Sequence, residues 1–216
     1  MRKFIFVAAV AAAFLLPSAA HGQSADVIAE ALLTWSQDRD CGHVCTEQRR
    51  DGAEDRSDYV VTDEDAAAFG AAVVEALVLW PNVPAEVYLA TAWHEAHFQR
   101  FAIGPGGECG MFQQTPRYMR PEDVRETLGT YDARCDYLQD VRNSVLSFGE
   151  NVSEKIRRFG DDWECAYNQG SSTYRDIGGC NADAVEYRDT NHRIERAVRN
   201  NLRVLLADAE SEAEAE

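Results

Sequence analysis

Apolar positions along the chain recur mainly at helical spacing. Residues 25–37 place Val27, Ile28, Ala31, Leu32 and Trp35 on one face of a helix. The stretch TEQRRDGAEDRSD (46–58) is polar and without period, which predicts a loop. Thr62 followed by Asp65 resembles a capping box, opening a helix that runs to about Leu79. Pro84 suits a first helical position, and the helix it opens ends near His97. Pro121 can open another short helix. Leu138, Val141, Val145, Phe148, Val152, Ile156 and Phe159 keep a helical period across 136–159. Trp163 to Asn168 forms one more short helix. Asn181 can cap a long last helix with Tyr187, Ile194, Val198, Leu202 and Leu205 inward. No internal repeat and no run of alternating strands interrupts this pattern, so the fold class expected is mainly α. The tail ADAESEAEAE (207–216) is acidic and low in complexity, and is expected to be disordered.

The first residues carry a different signal. Arg2 and Lys3 precede an apolar run from Phe4 to Leu16, broken by Pro17 and followed by small residues. That is the layout of a secretory signal peptide over 1–22, cleaved after Ala20 or Gly22. The run falls short of the roughly 20 apolar residues a spanning helix needs. No cysteine sits near the cleavage region to carry a lipid. The expected product is exported, periplasmic or extracellular, without a membrane anchor, and monomeric. Its length suits one domain with a helix and polar loop (23–58) in front.

Cleavage removes two positive and no negative charges, taking the formal net charge from −16 to −18. Such a chain lacks the clustered Lys and Arg that nucleic acid requires. A polymer of the cell wall would have to be held by hydrogen bonds and stacking. The six cysteines (Cys41, Cys45, Cys109, Cys135, Cys165 and Cys180) suit disulfides in an exported protein. Six cysteines allow 15 pairings, and their spacing does not choose among them.

Residues 91–98, TAWHEAHF, pose the chemical question. Zinc sites of the HExxH type need histidines four apart, whereas His94 and His97 are three apart, and a third ligand such as His43 or His192 would be needed. The other reading makes Glu95 the catalyst. Ala92, Trp93, Ala96 and Phe98 surround it with apolar groups, and desolvation raises a carboxyl pKa. A carboxyl protonated near neutral pH can donate to the leaving oxygen of a glycosidic bond.

Two later stretches favour the acid. GGECGMFQQTP (106–116) resembles the G-A-x-G-L-M-Q-x-x-P signature of the lysozyme-like soluble lytic transglycosylase (SLT) family. Gly110 follows Glu95 by fifteen residues, the family's interval between its glutamate and the glycine before L-M-Q. CAYNQG (165–170) is similar to the family's A-Y-N-x-G, and DVRNSVLSFG (140–149) to its D-x-x-x-N-I-x-x-G helix. The resemblance covers about residues 60–200 and implies a lysozyme-like domain over 59–206. It implies Glu95 as catalytic acid and then base, with Gly110 and Met111 in the loop beside it and Gln113 lining a sugar groove. Tyr167 would bring its hydroxyl close to Glu95, Asn168 would hold substrate or loop, and Gly170 would allow a tight turn. The substrate implied is the glycan strand of peptidoglycan, cut to a 1,6-anhydro sugar without metal or organic cofactor.

Ala96 stands where the family usually has serine, and Glu108 and Cys109 replace an alanine and a variable residue. Hydrolysis by water, as in a lysozyme, commonly needs a second carboxylate. Glu108, Asp161, Asp162 and Glu164 are the candidates, all expected to face solvent in so acidic a chain. A wall-binding protein without turnover is the remaining alternative.

Overall fold

The computed structural model of the chain describes residues 18–37 and 61–215. The signal-peptide run to Pro17, the polar loop 46–58, Cys41, Cys45 and His43 lie outside the described residues. Among the described residues the elements are helical, and they follow the predicted order: α1 (Ser18–Gln37), α2 (Asp63–Leu79), α3 (Ala85–Ala96), α4 (Glu122–Leu128), α5 (Tyr131–Gln139), α6 (Val141–Phe159), α7 (Trp163–Asn168), α8 (Ser171–Ile177) and α9 (Ala182–Ala215). Short 3₁₀ turns at Pro116–Tyr118 and Gly160–Asp162 lead into α4 and α7. None of these helices is long and apolar enough to cross a membrane.

Caps set several boundaries. The Thr62 hydroxyl accepts the Asp65 N–H at 3.1 Å and opens α2. Asn181 caps α9 through the Ala184 N–H at 2.8 Å. The helix predicted over 136–159 is two helices. Asp140 takes extended backbone and its carboxylate accepts the Asn143 N–H at 2.9 Å, starting α6 afresh. Helix α8 has no counterpart in the sequence reading. It is seven residues with none buried, so no apolar period marks it. The acidic tail was expected to be disordered, yet α9 continues through it to Ala215. Alanine and glutamate are strong helix formers, and the tail extends a helix already nucleated.

The part of α1 from Val27 onward packs into the main core. The helix begins at Ser18, within the expected cleavage region. Val27, Ile28, Ala31 and Leu32 are buried against α2, and Trp35 meets Trp93 of α3 edge-on at 5.8 Å. The contact with α2 is close because Gly70 has no side chain. A Cβ there would lie 2.2 Å from the Ala25 carbonyl oxygen. Gly70→Ala is therefore expected to lower stability by about 1–3 kcal/mol, read from thermal or urea unfolding.

Around this pair, α6 packs on α2 and α7, and α9 packs on α1, α3 and α7. An aromatic chain crosses the centre. Phe69 of α2 neighbours Phe112, Phe112 stacks on Phe148 of α6 at 4.1 Å, and Phe148 meets Tyr88 and Tyr167 edge-on. Phe112 belongs to the glycine-rich loop, so the core itself anchors that loop.

Candidate active site

Helix α3 is buried almost throughout, from Val87 to Ala96. Its last turn carries Glu95, which keeps partial contact with solvent. The chain then turns sharply. His97 and Phe98 both take positive φ, and their N–H groups close the helix onto the Trp93 and Ala92 carbonyls. Gln113, at the far end of the following loop, also has positive φ. These are the non-glycine residues with positive φ among the described ones, and they bracket the segment beside Glu95. Such strain persists only where surrounding packing over-determines it, and it tends to gather at functional sites.

The loop 99–116 is held from several sides. Cys109 pairs with its neighbours through two antiparallel bridges, to Ile103 and to Gln114. Its sulfur is bonded to Cys135 of α5. Gln114 is buried, donates to the Ser144 carbonyl at 3.1 Å and accepts from the Ser147 hydroxyl at 2.9 Å, both on α6. Gln113, expected to line a groove, folds its amide back onto the Gly110 and Ala102 carbonyls at 2.8 and 3.3 Å. Gly110 and Met111 are buried, so they hold the loop's shape from inside.

Two tyrosines complete the surroundings of Glu95. The Tyr187 hydroxyl, on α9, donates to Glu95 Oε1 at 2.6 Å. The Tyr167 hydroxyl donates to the Phe112 carbonyl at 2.7 Å, and its ring system lies near enough for the Glu95 charge to raise its pKa. The hydroxyl that hydrogen-bonds Glu95 is thus Tyr187's, while Tyr167 ties α7 to the loop. Burial keeps both phenols protonated, so both remain donors. Lys155 supports the same segment by donating to the Ala166 carbonyl and the Ser171 hydroxyl. A second disulfide, Cys165–Cys180, fixes α7 beside the start of α9. Asn168 is exposed at the end of α7.

The Glu95 carboxyl is pushed up to about 7, first by burial, against the lowering effect of the Tyr187 hydrogen bond, and further by the charge of Glu108. Glu108 was expected to face solvent. It is partly buried, accepts the Gly106 N–H at 3.0 Å and directs its charge toward the same site. The side chains of His94 and His97 diverge. The His94 ring stacks on Tyr187 at 4.6 Å, whereas His97 meets Trp93 edge-on at 4.9 Å. Burial lowers His94 to about 4, so it is neutral where Glu95 titrates. Metal-ligating groupings among the described residues do not include either histidine.

Tyr187 was placed inward on α9 by its period, but nothing local linked it to Glu95, 92 residues earlier. Gln114 was also passed over. Its signal is the pair Ser144 and Ser147 on the mainly apolar buried face of α6, which needs a buried polar partner.

Together these residues form a carboxyl raised to about 7 and held by one phenol, a second carboxyl group nearby, and a braced loop beside both. Comparisons with family models, with curated proteins and with solved structures each found no match.

Proposed function

We propose that the protein is an exported lytic transglycosylase of lysozyme-like fold that cuts peptidoglycan between N-acetylmuramic acid and N-acetylglucosamine. The observation that carries this reading is Glu95. It is a carboxyl raised to about 7 at the edge of the core, gripped by Tyr187. The motifs about it and their order along the chain supply the substrate class.

Glu95 donates its proton to the glycosidic oxygen as the bond from the muramyl anomeric carbon to that oxygen breaks. The substrate's N-acetyl group stabilises the cationic carbon. Glu95, now ionised, removes the proton of the muramyl 6-hydroxyl, and that oxygen bonds to the anomeric carbon. A 1,6-anhydro sugar and a free hydroxyl on the leaving sugar result, with Glu95 again protonated. Tyr187 stabilises the ionised intermediate state and fixes the carboxyl's direction. The nucleophile belongs to the substrate, so one carboxyl suffices.

Glu108 favours a second reading, hydrolysis of the same bond. Its carboxylate would activate water or trap the sugar. Mass spectrometry of sugars released from purified peptidoglycan separates the two. Anhydro-muramyl products, one water lighter than hydrolysed ones, support the transglycosylase. Reducing-end muramic acid supports the hydrolase. Absence of both products would overturn the enzyme reading on this substrate.

The pH profile gives an independent check. Cleavage needs protonated Glu95, so activity is expected to fall as pH rises through about 7. Glu108→Gln removes a charge that raises Glu95 and moves this limb to lower pH. Tyr187→Phe removes a hydrogen bond that lowers Glu95, so the limb moves to higher pH while turnover drops. Limbs that stay put in both variants would detach the profile from Glu95.

A further inference from the structure

Below the Glu95 site, α7 and α9 enclose a second group of polar side chains that cleavage does not use. Glu164, expected to face solvent, is fully buried on α7. His192 and Glu195 lie three apart on one face of α9. One ligating atom from each of these three residues lies within 4.8 Å of the others. Asn191, also fully buried, donates to Glu164 Oε1 at 2.9 Å and to Glu195 Oε1 at 3.3 Å. It orients both carboxyl groups as an outer partner orients metal ligands.

Glu164 Oε2 is the unexplained atom. It is buried and has no hydrogen-bond donor. Its one close partner among the described residues is His192 Nε2 at 2.7 Å, an ion-pair separation. Tetrahedral ligands about 2 Å from zinc stand roughly 3.3 Å apart, so an ion between these two atoms would part them by a fraction of an ångström. A fully buried carboxylate with so little pairing is costly, and a cation shared with His192 and Glu195 would offset that cost.

We propose that Glu164, His192 and Glu195 bind one divalent first-row transition cation, with zinc as the probe of choice. One imidazole and two carboxylates form a nitrogen–oxygen donor set suited to zinc, and three protein ligands leave a position for water. His192 is partly exposed and also borders an open groove of about 620 Å³ along α9, so one of the three ligands is in reach of solvent. The site is structural. It joins α7 to α9, and those helices carry Tyr167 and Tyr187. Glu164 sits one turn before Tyr167, and Asn191 one turn after Tyr187. The cation would brace the two phenols without touching substrate, so the proposal stands whatever bond Glu95 cleaves.

The test is zinc titration of the full chain, stripped with chelator and dialysed, followed by calorimetry, with cobalt absorption as a second readout. One equivalent is expected to bind and to raise the melting temperature. His192→Ala and Glu195→Gln are each expected to weaken binding by about tenfold or more and to abolish the thermal shift. His192 is partly exposed, so its variant keeps the fold, which circular dichroism checks. If Glu195→Gln does not fold, His192→Ala alone decides. Absence of one-equivalent binding, or wild-type affinity in His192→Ala, would overturn the site and leave a network of carboxyl groups joined by hydrogen bonds.

Discussion

Glu95→Gln is expected to lower the rate of glycan cleavage by about 10²–10⁴-fold, the usual contribution of a positioned general acid. The amide matches the carboxyl in size and can still accept the Tyr187 hydrogen bond, so the fold and the groove remain. What it lacks is a transferable proton. The loss should fall on turnover rather than on binding, measured as kcat and KM for release of soluble muropeptides.

The same substitution has a second, opposite effect on stability. The carboxyl is raised from an ordinary value of 4.5 to about 7, so the folded state holds this proton more tightly than the unfolded chain. Its stabilising contribution is complete below the unfolded pKa and is lost as pH rises through about 7. Glutamine does not ionise. Glu95→Gln is therefore expected to melt like the wild type at pH about 5 and above it at pH about 8. A variant that keeps wild-type cleavage would remove Glu95 from the mechanism. One that is less stable at both pH values would give Glu95 a mainly structural role.

Gly110→Ala is expected to cost about 3–5 kcal/mol of stability and most of the activity. Two constraints meet at this position. Its φ is +77°, which disfavours any side chain, and a Cβ would stand 2.1 Å from the Leu138 carbonyl oxygen. Neither side can withdraw easily. The neighbouring Cys109 is bonded to Cys135 on the same helix as Leu138. On the other side, the Gly110 N–H donates to the Ala102 carbonyl at 3.0 Å, and its own carbonyl accepts the Gln113 amide. Relief would require the loop to lift from α5, carrying Glu108 away from Glu95. Urea unfolding checks the stability loss, and cleavage assays below the melting point check the activity. A stability loss under about 1 kcal/mol would mean that the loop moves freely against α5.

Much of the helical framework was legible in the chain because the signals are short-range. Apolar spacing places Val27, Ile28 and Leu32 on one face, and Thr62 and Asn181 carry their caps within three residues. The apolar neighbours of Glu95 likewise foretold its raised pKa, since they adjoin it in sequence or share its helical turn. Periodicity was a poorer guide where a cap overrode it. The apolar rows of α5 and α6 stay in phase across Asp140, which nevertheless restarts the helix.

What the sequence determined by itself was a mainly α chain with a flagged glutamate, a glycine-rich loop after it and cysteines in both flanking motifs. The tertiary structure alone decided the partners. It joined Cys109 to Cys135 and Cys165 to Cys180, set Tyr187 rather than Tyr167 on the Glu95 oxygen, and turned Glu108 toward the site. It also buried Glu164 against Asn191, His192 and Glu195. The reason is one of range. Propensity and periodicity act over a few residues, whereas a buried carboxyl's partner is chosen by how α7 and α9 cross, and that follows from packing the whole core at once.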